Sequence, residues 1–166
     1  LKIFGIGLTR TGTTSLTEAL KLLGYSAVHC PMSHEEIKNH EASTDTAVAT
    51  RFEFLDLLYP GSKFILTTRD LDSWIESAAS LRRSAYDPIW QLETRSKLWG
   101  SFVFDKEKFI EGYHKHHLKV SDYFKNKQND LLVLNIKESD KFKKLCGFLN
   151  KPMLNVDYPH LNRRGI

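Results

Sequence analysis

A chain of 166 residues with 41% hydrophobic composition has the apolar material to bury roughly 70% of its unfolded surface and the length of one compact domain over 1–166, which excludes general disorder and a second core. Its 24 Lys and Arg against 20 Asp and Glu leave a net charge of +4, a mild bias toward anionic ligands without the concentrated basic stripe of a nucleic-acid binder. Cys30 and Cys146 are too few for a disulfide framework, no apolar run approaches the roughly 20 residues of a membrane span, and no signal-peptide pattern opens the sequence. Free thiols in a cytoplasmic setting are therefore the expectation, with a trimmed leader or anchor ahead of Leu1 left open.

In chain order, Lys2 to Ile6 is a short apolar run meeting Gly7, the pattern of a buried strand. From Thr13, the residues Leu16, Ala19, Leu20 and Leu23 recur at helical spacing, with Ser15 and Glu18 placed as a capping box and Gly24 as the stop. Tyr25 to His29 reads as a second strand, halted by Cys30-Pro31. Thr46 to Tyr59 puts Val48, Phe52, Leu55 and Tyr59 on one helical face before a Pro60-Gly61 turn, and Lys63 to Thr67 is a compact buried strand. A helix starting near Asp72 or Ser73 follows, with Ser73 and Glu76 at capping-box spacing and Trp74, Ala78 and Leu81 on one side; it ends before Asp87-Pro88. Asp105 to Lys127 is a long amphipathic helix with Phe109, Tyr113, Val120 and Phe124 inward, Leu131 to Asn135 a strand, and Ser139 to Leu149 a last helix. Strands alternating with helices predict an α/β domain of three layers, a mostly parallel central sheet with helices on both faces.

The most informative segment is Gly7-Leu8-Thr9-Arg10-Thr11-Gly12-Thr13-Thr14-Ser15, set between the first strand and the first helix. Small residues let backbone N–H groups close around a phosphate, and the helix N-terminus adds unpaired donors and partial positive charge. The glycine spacing follows the nucleotide-binding pattern G-x-x-x-x-G-K-[ST] until Thr13 stands where the lysine belongs. That removes the main charge contact of an ATP- or GTP-hydrolysing site and leaves Arg10, two residues before Gly12, as the loop's cation.

On these residues the sequence resembles the sulfotransferases that use 3′-phosphoadenosine 5′-phosphosulfate (PAPS) as sulfuryl donor. Their 5′-phosphosulfate loop, [KR]-[ST]-G-T-[TS], is matched by Arg10-Thr11-Gly12-Thr13-Thr14. Their 3′-phosphate loop, an arginine after a strand with a serine eight residues on, is matched by Arg69 and Ser77. A Tyr-Pro-Gly-x-Lys-Phe-Ile-Leu-Thr-x-Arg-Asp-x-x-x-Trp run from Tyr59 to Trp74, together with Leu145 to Leu149 and Tyr158 to Asn162, extends the likeness to the small sulfotransferase-domain branch over nearly the whole chain. The resemblance implies a P-loop NTPase-like fold and donor binding by Arg10, Thr11, Gly12, Thr13, Thr14, Ser15, Arg69 and Ser77. Arg163, Arg164 and Gly165 are similar to a C-terminal Arg-Lys-Gly that grips the 3′-phosphate, and equally suit a solvated basic tail. PAPS is then a co-substrate released as adenosine 3′,5′-bisphosphate, no metal is required, and the partner is a small-molecule or glycan acceptor rather than nucleic acid or a membrane. Where relatives carry Trp just after the loop, this chain has Ser15, so adenine lacks its usual stacking partner.

Sulfuryl transfer needs a held donor, neutralised charge on the leaving phosphate and a group that takes the acceptor's proton. Arg10 suits the second task. For the third, His29 ends a strand on the edge where open α/β sheets bind ligands, and an imidazole suits proton removal near neutral pH. Asp45, Glu35 and Glu36, in the linking region, are the other candidates. His114, His116 and His117 fit a solvated helix face better than a metal site, because no cysteine or carboxylate stands at ligand spacing. Trp74 fits the core, while Trp90 and Trp99, with Phe102 and Phe104, fit either the core or an acceptor pocket. An ATP-dependent small-molecule kinase on the same fold and a non-catalytic nucleotide-binding module stand as alternatives.

Overall fold

A computed structural model of the chain describes residues 1–81 and 86–161. Among them five strands, β1 (Ile3–Gly5), β2 (Ala27–His29), β3 (Ala42–Thr44), β4 (Lys63–Thr68) and β5 (Leu131–Asn135), form one sheet in the order β2-β3-β1-β4-β5, with every pairing parallel. The helices are α1 (Thr13–Leu22), α2 (His34–Asn39), α3 (Thr46–Ala49), α4 (Phe52–Leu58), α5 (Leu71–Ala79), α6 (Ile89–Trp99), α7 (Lys106–Phe124) and α8 (Lys141–Phe148). They cover both faces, so the predicted three-layer α/β architecture is what forms. The reason is the alternation of side chains along a strand. Phe4 and Phe64 point to one face and pack with Phe52 of α4, Trp74 of α5, Trp99 of α6 and Phe109 and Phe124 of α7. Their neighbours Ile3 and Ile65 point to the other and pack with Leu16 and Leu20 of α1 and Phe142 and Leu145 of α8. Strands buried on both faces read as continuous apolar runs, which is why β1 and β4 stand out in the sequence.

β3 was not expected, because Ala42-Ser43-Thr44 carries no bulky apolar residue, yet all three residues are fully buried. Small side chains are what the close approach of α1 demands. Thr17 of α1 and Thr44 pair their hydroxyls at 2.6 Å, and a Cβ added at Gly5 would lie 2.8 Å from Thr44 Cγ2. α2 was also unexpected; Ser33 Oγ accepts from the Glu36 N–H while the Glu36 carboxylate accepts from the Met32 N–H at 2.6 Å, a reciprocal cap. The single helix expected from Thr46 to Tyr59 divides at Thr50–Arg51 into α3 and α4.

Two predicted caps move. α1 opens directly at Thr13 from Gly12, whose φ of 96° only glycine adopts freely, so Ser15 lies inside the first turn and its Oγ accepts from the Leu161 N–H at 3.0 Å instead. α5 is capped by the Asp70 carboxylate, which accepts from the Ser73 N–H at 3.0 Å. α6 arises in a stretch whose periodicity gave no helix. The histidine group on α7 is also corrected: His114 is exposed, but His116 is 4% exposed and its Nε2 donates to the Ile6 carbonyl at 2.8 Å. Burial holds its pKa down to about 4, so it is neutral. Among the described residues no group of three or more His, Cys, Asp and Glu has the arrangement of a metal site, and no helix is long and apolar enough to cross a membrane.

Candidate active site

The C-terminal ends of β1 and β4 flank the point where the chain's connections change direction across the sheet, the place where open α/β sheets bind ligands. The loop after β1 is pinned there by its own small residues. Thr11 Oγ1 donates to the Leu8 carbonyl at 2.6 Å, so the Thr67 hydroxyl of β4, 2.7 Å away, donates to Thr11. Gly7 makes the contact possible, since a Cβ there would fall 1.8 Å from Thr67 Oγ1 and 2.8 Å from the Thr67 carbonyl oxygen. Arg10 takes the left-handed region at φ 69°, and Gly12 follows at φ 96° to turn the chain into α1. The indole N–H of Trp74 donates to the Thr9 carbonyl at 2.9 Å, tying this loop to α5; Trp74 is a core residue.

The second loop closes on the first. An Arg69 N–H donates to the Arg10 carbonyl at 3.4 Å, and Arg10 Nε donates to Ser77 Oγ at 2.8 Å. Arg69 Nε donates to Ser73 Oγ at 2.9 Å, while the Arg69 carbonyl accepts from the Tyr113 hydroxyl at 2.5 Å. Arg10, Thr11, Gly12, Thr13, Thr14, Ser15, Arg69 and Ser77 all line one cleft of about 590 Å³, within the range of small-ligand sites. Arg163, Arg164 and Gly165 lie outside the described residues.

The far wall of the cleft was not legible in the sequence. Leu134, Ile136, Lys141 and the segment Tyr158-Pro159-His160-Leu161 form it. Lys141 is 5% exposed, its ammonium donating to the carbonyls of Ile136 (2.9 Å) and Glu138 and lying 5.4 Å from the centre of the Tyr158 ring. Burial lowers the pKa of Lys141 and raises that of the Tyr158 phenol, which therefore stays neutral. Nothing in the run Lys141-Phe142-Lys143-Lys144 distinguishes the first lysine from its neighbours except the apolar phase of α8, which turns it inward.

The base candidates separate. His29, the last residue of β2, lines the cleft with Nε2 3.1 Å from Thr13 Oγ1, 3.3 Å from Thr14 Oγ1 and 3.5 Å from Asp45 Oδ2. Asp45 is 6% exposed, and its Oδ1 accepts from Thr46 Oγ1 at 3.1 Å and Thr13 Oγ1 at 3.4 Å. Thr46 Oγ1 in turn accepts from the Thr9 N–H at 2.8 Å, so this carboxylate anchors the loop after β1. Beside it, burial and then the Asp45 charge push the Cys30 thiol up to about 12, keeping it protonated. Glu35 is exposed on α2 and Glu36 is engaged in the α2 cap; neither lines the cleft. Neither Trp90 nor Trp99 lines the cleft: the Arg51 guanidinium lies 3.8 Å from the centre of the Trp90 ring, which borders a separate cavity of about 380 Å³, and Trp99 is buried, stacking on Phe109 at 4.4 Å and 14°.

The sheet order, the anion-suited loop after β1 and the Arg–Ser pair facing it after β4 place the chain among parallel-sheet α/β proteins with a cleft at the switch point of the sheet. A profile of the sulfotransferase domain matches residues 2–39 and 32–165. The chain belongs to the sulfotransferase-domain family, and its all-parallel sheet flanked by helices agrees with that family's P-loop-like fold. Membership supports a transferase role in sulfuryl transfer. No curated protein sequence matches the chain.

Proposed function

We propose that the chain is a PAPS-dependent sulfotransferase that moves a sulfuryl group to a hydroxyl or amine of a small acceptor. The reading rests on one observation: the two loops singled out in the sequence meet in one cleft, through the Arg69 to Arg10 carbonyl and Arg10 to Ser77 hydrogen bonds. Arg69 offers a planar fork of donors to the 3′-phosphate, with Ser77 beside it. The N–H groups of Gly12 to Ser15, at the positive end of α1, hold the 5′-phosphate. Leu134, Ile136 and Tyr158 supply an apolar wall for adenine in place of the tryptophan that Ser15 replaces. Arg10 neutralises charge that grows on the bridging oxygen as the sulfur–oxygen bond breaks, and the His29–Asp45 pair takes the acceptor's proton.

Calorimetric titration with adenosine 3′,5′-bisphosphate and, separately, with ATP and Mg²⁺ tests the reading. The bisphosphate should bind, and at a hundred times its dissociation constant it should add about 2.7 kcal/mol of stability. Stronger binding of ATP with Mg²⁺ rejects the reading in favour of phosphoryl transfer.

A further inference from the structure

The two loops of the cleft are held from behind as well as by each other. α7 packs on the sheet face that carries Phe4 and Phe64, and two of its buried side chains, Tyr113 and His116, share one side of the helix. His116 Nε2 donates to the Ile6 carbonyl at 2.8 Å, just before the loop after β1 begins at Gly7, and the Tyr113 hydroxyl donates to the Arg69 carbonyl at 2.5 Å. The Tyr113 ring lies 4.7 Å from that of Trp74, whose indole N–H holds the Thr9 carbonyl. One helix therefore fastens both loops, although Tyr113, His116 and Trp74 all lie outside the lining of the cleft.

Packing alone does not account for the Tyr113 hydroxyl. The ring lies against Trp74 and, at 4.1 Å, against His117, contacts that a phenylalanine would keep, as Phe109 one turn earlier fills the same core with no polar atom. The oxygen instead reaches a backbone carbonyl between elements, since β4 ends at Thr68 and α5 opens at Leu71. Burial, and after it the Asp70 charge, hold the phenol's pKa above its ordinary value, so the group stays a donor. From that fixed backbone the Arg69 side chain reaches Ser73 Oγ at 2.9 Å and the Arg10 carbonyl at 3.4 Å, and these contacts set the direction of its guanidinium. Removing the hydroxyl leaves the Arg69 carbonyl without this donor and frees the residue to shift.

Resting on the sulfotransferase reading, we infer that Tyr113 is a positioning residue for donor selection. Its hydroxyl holds the Arg69 backbone where the guanidinium grips the 3′-phosphate, and so sets the preference for a 3′-phosphorylated nucleotide over one with a 5′-phosphate alone. The loop after β1 keeps separate anchors in His116, Trp74 and Thr67, so losing this hydroxyl leaves the 5′-phosphate site as it is.

Calorimetric titration of Tyr113→Phe with adenosine 3′,5′-bisphosphate and, separately, adenosine 5′-monophosphate reads this selection directly. The variant should lose about tenfold in bisphosphate affinity, the scale of one hydrogen bond whose acceptor is left unpaired, with its monophosphate affinity unchanged. Because the effect runs through Arg69, adding Tyr113→Phe to Arg69→Ala should cost less than about twofold further. Equal losses for both nucleotides make Tyr113 a structural residue and overturn the inference. An unchanged bisphosphate affinity overturns it too, as does a further loss of about tenfold in the Arg69→Ala background. An unsubstituted chain that binds neither nucleotide, or binds the monophosphate as tightly as the bisphosphate, overturns the donor reading instead, so the two failures are distinguishable.

Discussion

Asp45 holds φ 91° and ψ 179°, a region that glycine visits freely and that costs a residue with a side chain about 1–3 kcal/mol. The surrounding hydrogen bonds to Thr13 and Thr46 over-determine it. Asp45→Gly and Asp45→Ala both delete the carboxylate, but only the first relieves the backbone, so the glycine variant should be the more stable by about 1 kcal/mol or more. Urea denaturation of the two compares them directly; an alanine variant of equal stability shows that the backbone is not strained. The two arginines should also part company. Arg69→Ala should weaken bisphosphate binding by about 1.5–3 kcal/mol, the scale of hydrogen bonds to a charged group. Arg10→Ala should lower turnover more than affinity, because on the proposed reading the charge it meets grows in the transition state. Equal losses in calorimetry and kinetics would make Arg10 a binding residue alone.

At the scale of elements, the contact between the loop after β1 and β4 sets the cleft. Gly7→Ala would drive a methyl group into Thr67, costing about 1–3 kcal/mol as an overpacked site. Thr67→Ala opens that space, so the double variant should be less destabilised than the sum of the single ones, and additive values from denaturation would deny the contact its role. The same contact explains what could be read beforehand. β1, β4 and α1, with the Arg10 and Arg69 loops, were legible because doubly buried strands are apolar throughout and glycine marks the turn between them. β3 was not, since its packing against α1 selects Ala, Ser and Thr, residues that look like a loop. α6 was hidden because its buried residues are few, Thr94 and Trp99, and its tight seat on α7 depends on Gly112, where a Cβ would lie 2.4 Å from the Leu98 carbonyl. Of the site, the loop after β1 could be read from its glycine spacing and the Arg69–Ser77 pair from the family resemblance, but Lys141 and the pairing of His29 with Asp45 depend on contacts between distant segments.

For the molecule as a whole, stability should depend on pH through His116. Its folded pKa of about 4 lies below the ordinary 6.5, so the unfolded chain binds the proton more readily and stability falls as pH drops from 6.5 toward 4. The loss between pH 7 and pH 5 comes to about 2 kcal/mol. His117, also lowered by burial, acts in the same direction. His116→Gln should flatten most of this slope in denaturation at the two values, and an undiminished slope assigns it to other groups.

The hydrogen bond from the Leu161 N–H to Ser15 Oγ joins positions 146 apart and brings the Tyr158–Leu161 segment into the wall of the cleft. A ribosome must therefore deliver nearly all of this segment before the cleft has its far wall. On the proposed reading, nascent chains halted short of Tyr158 should fold their sheet yet fail to be retained on a bisphosphate resin, so that retention reports that the Tyr158–Leu161 segment has been made.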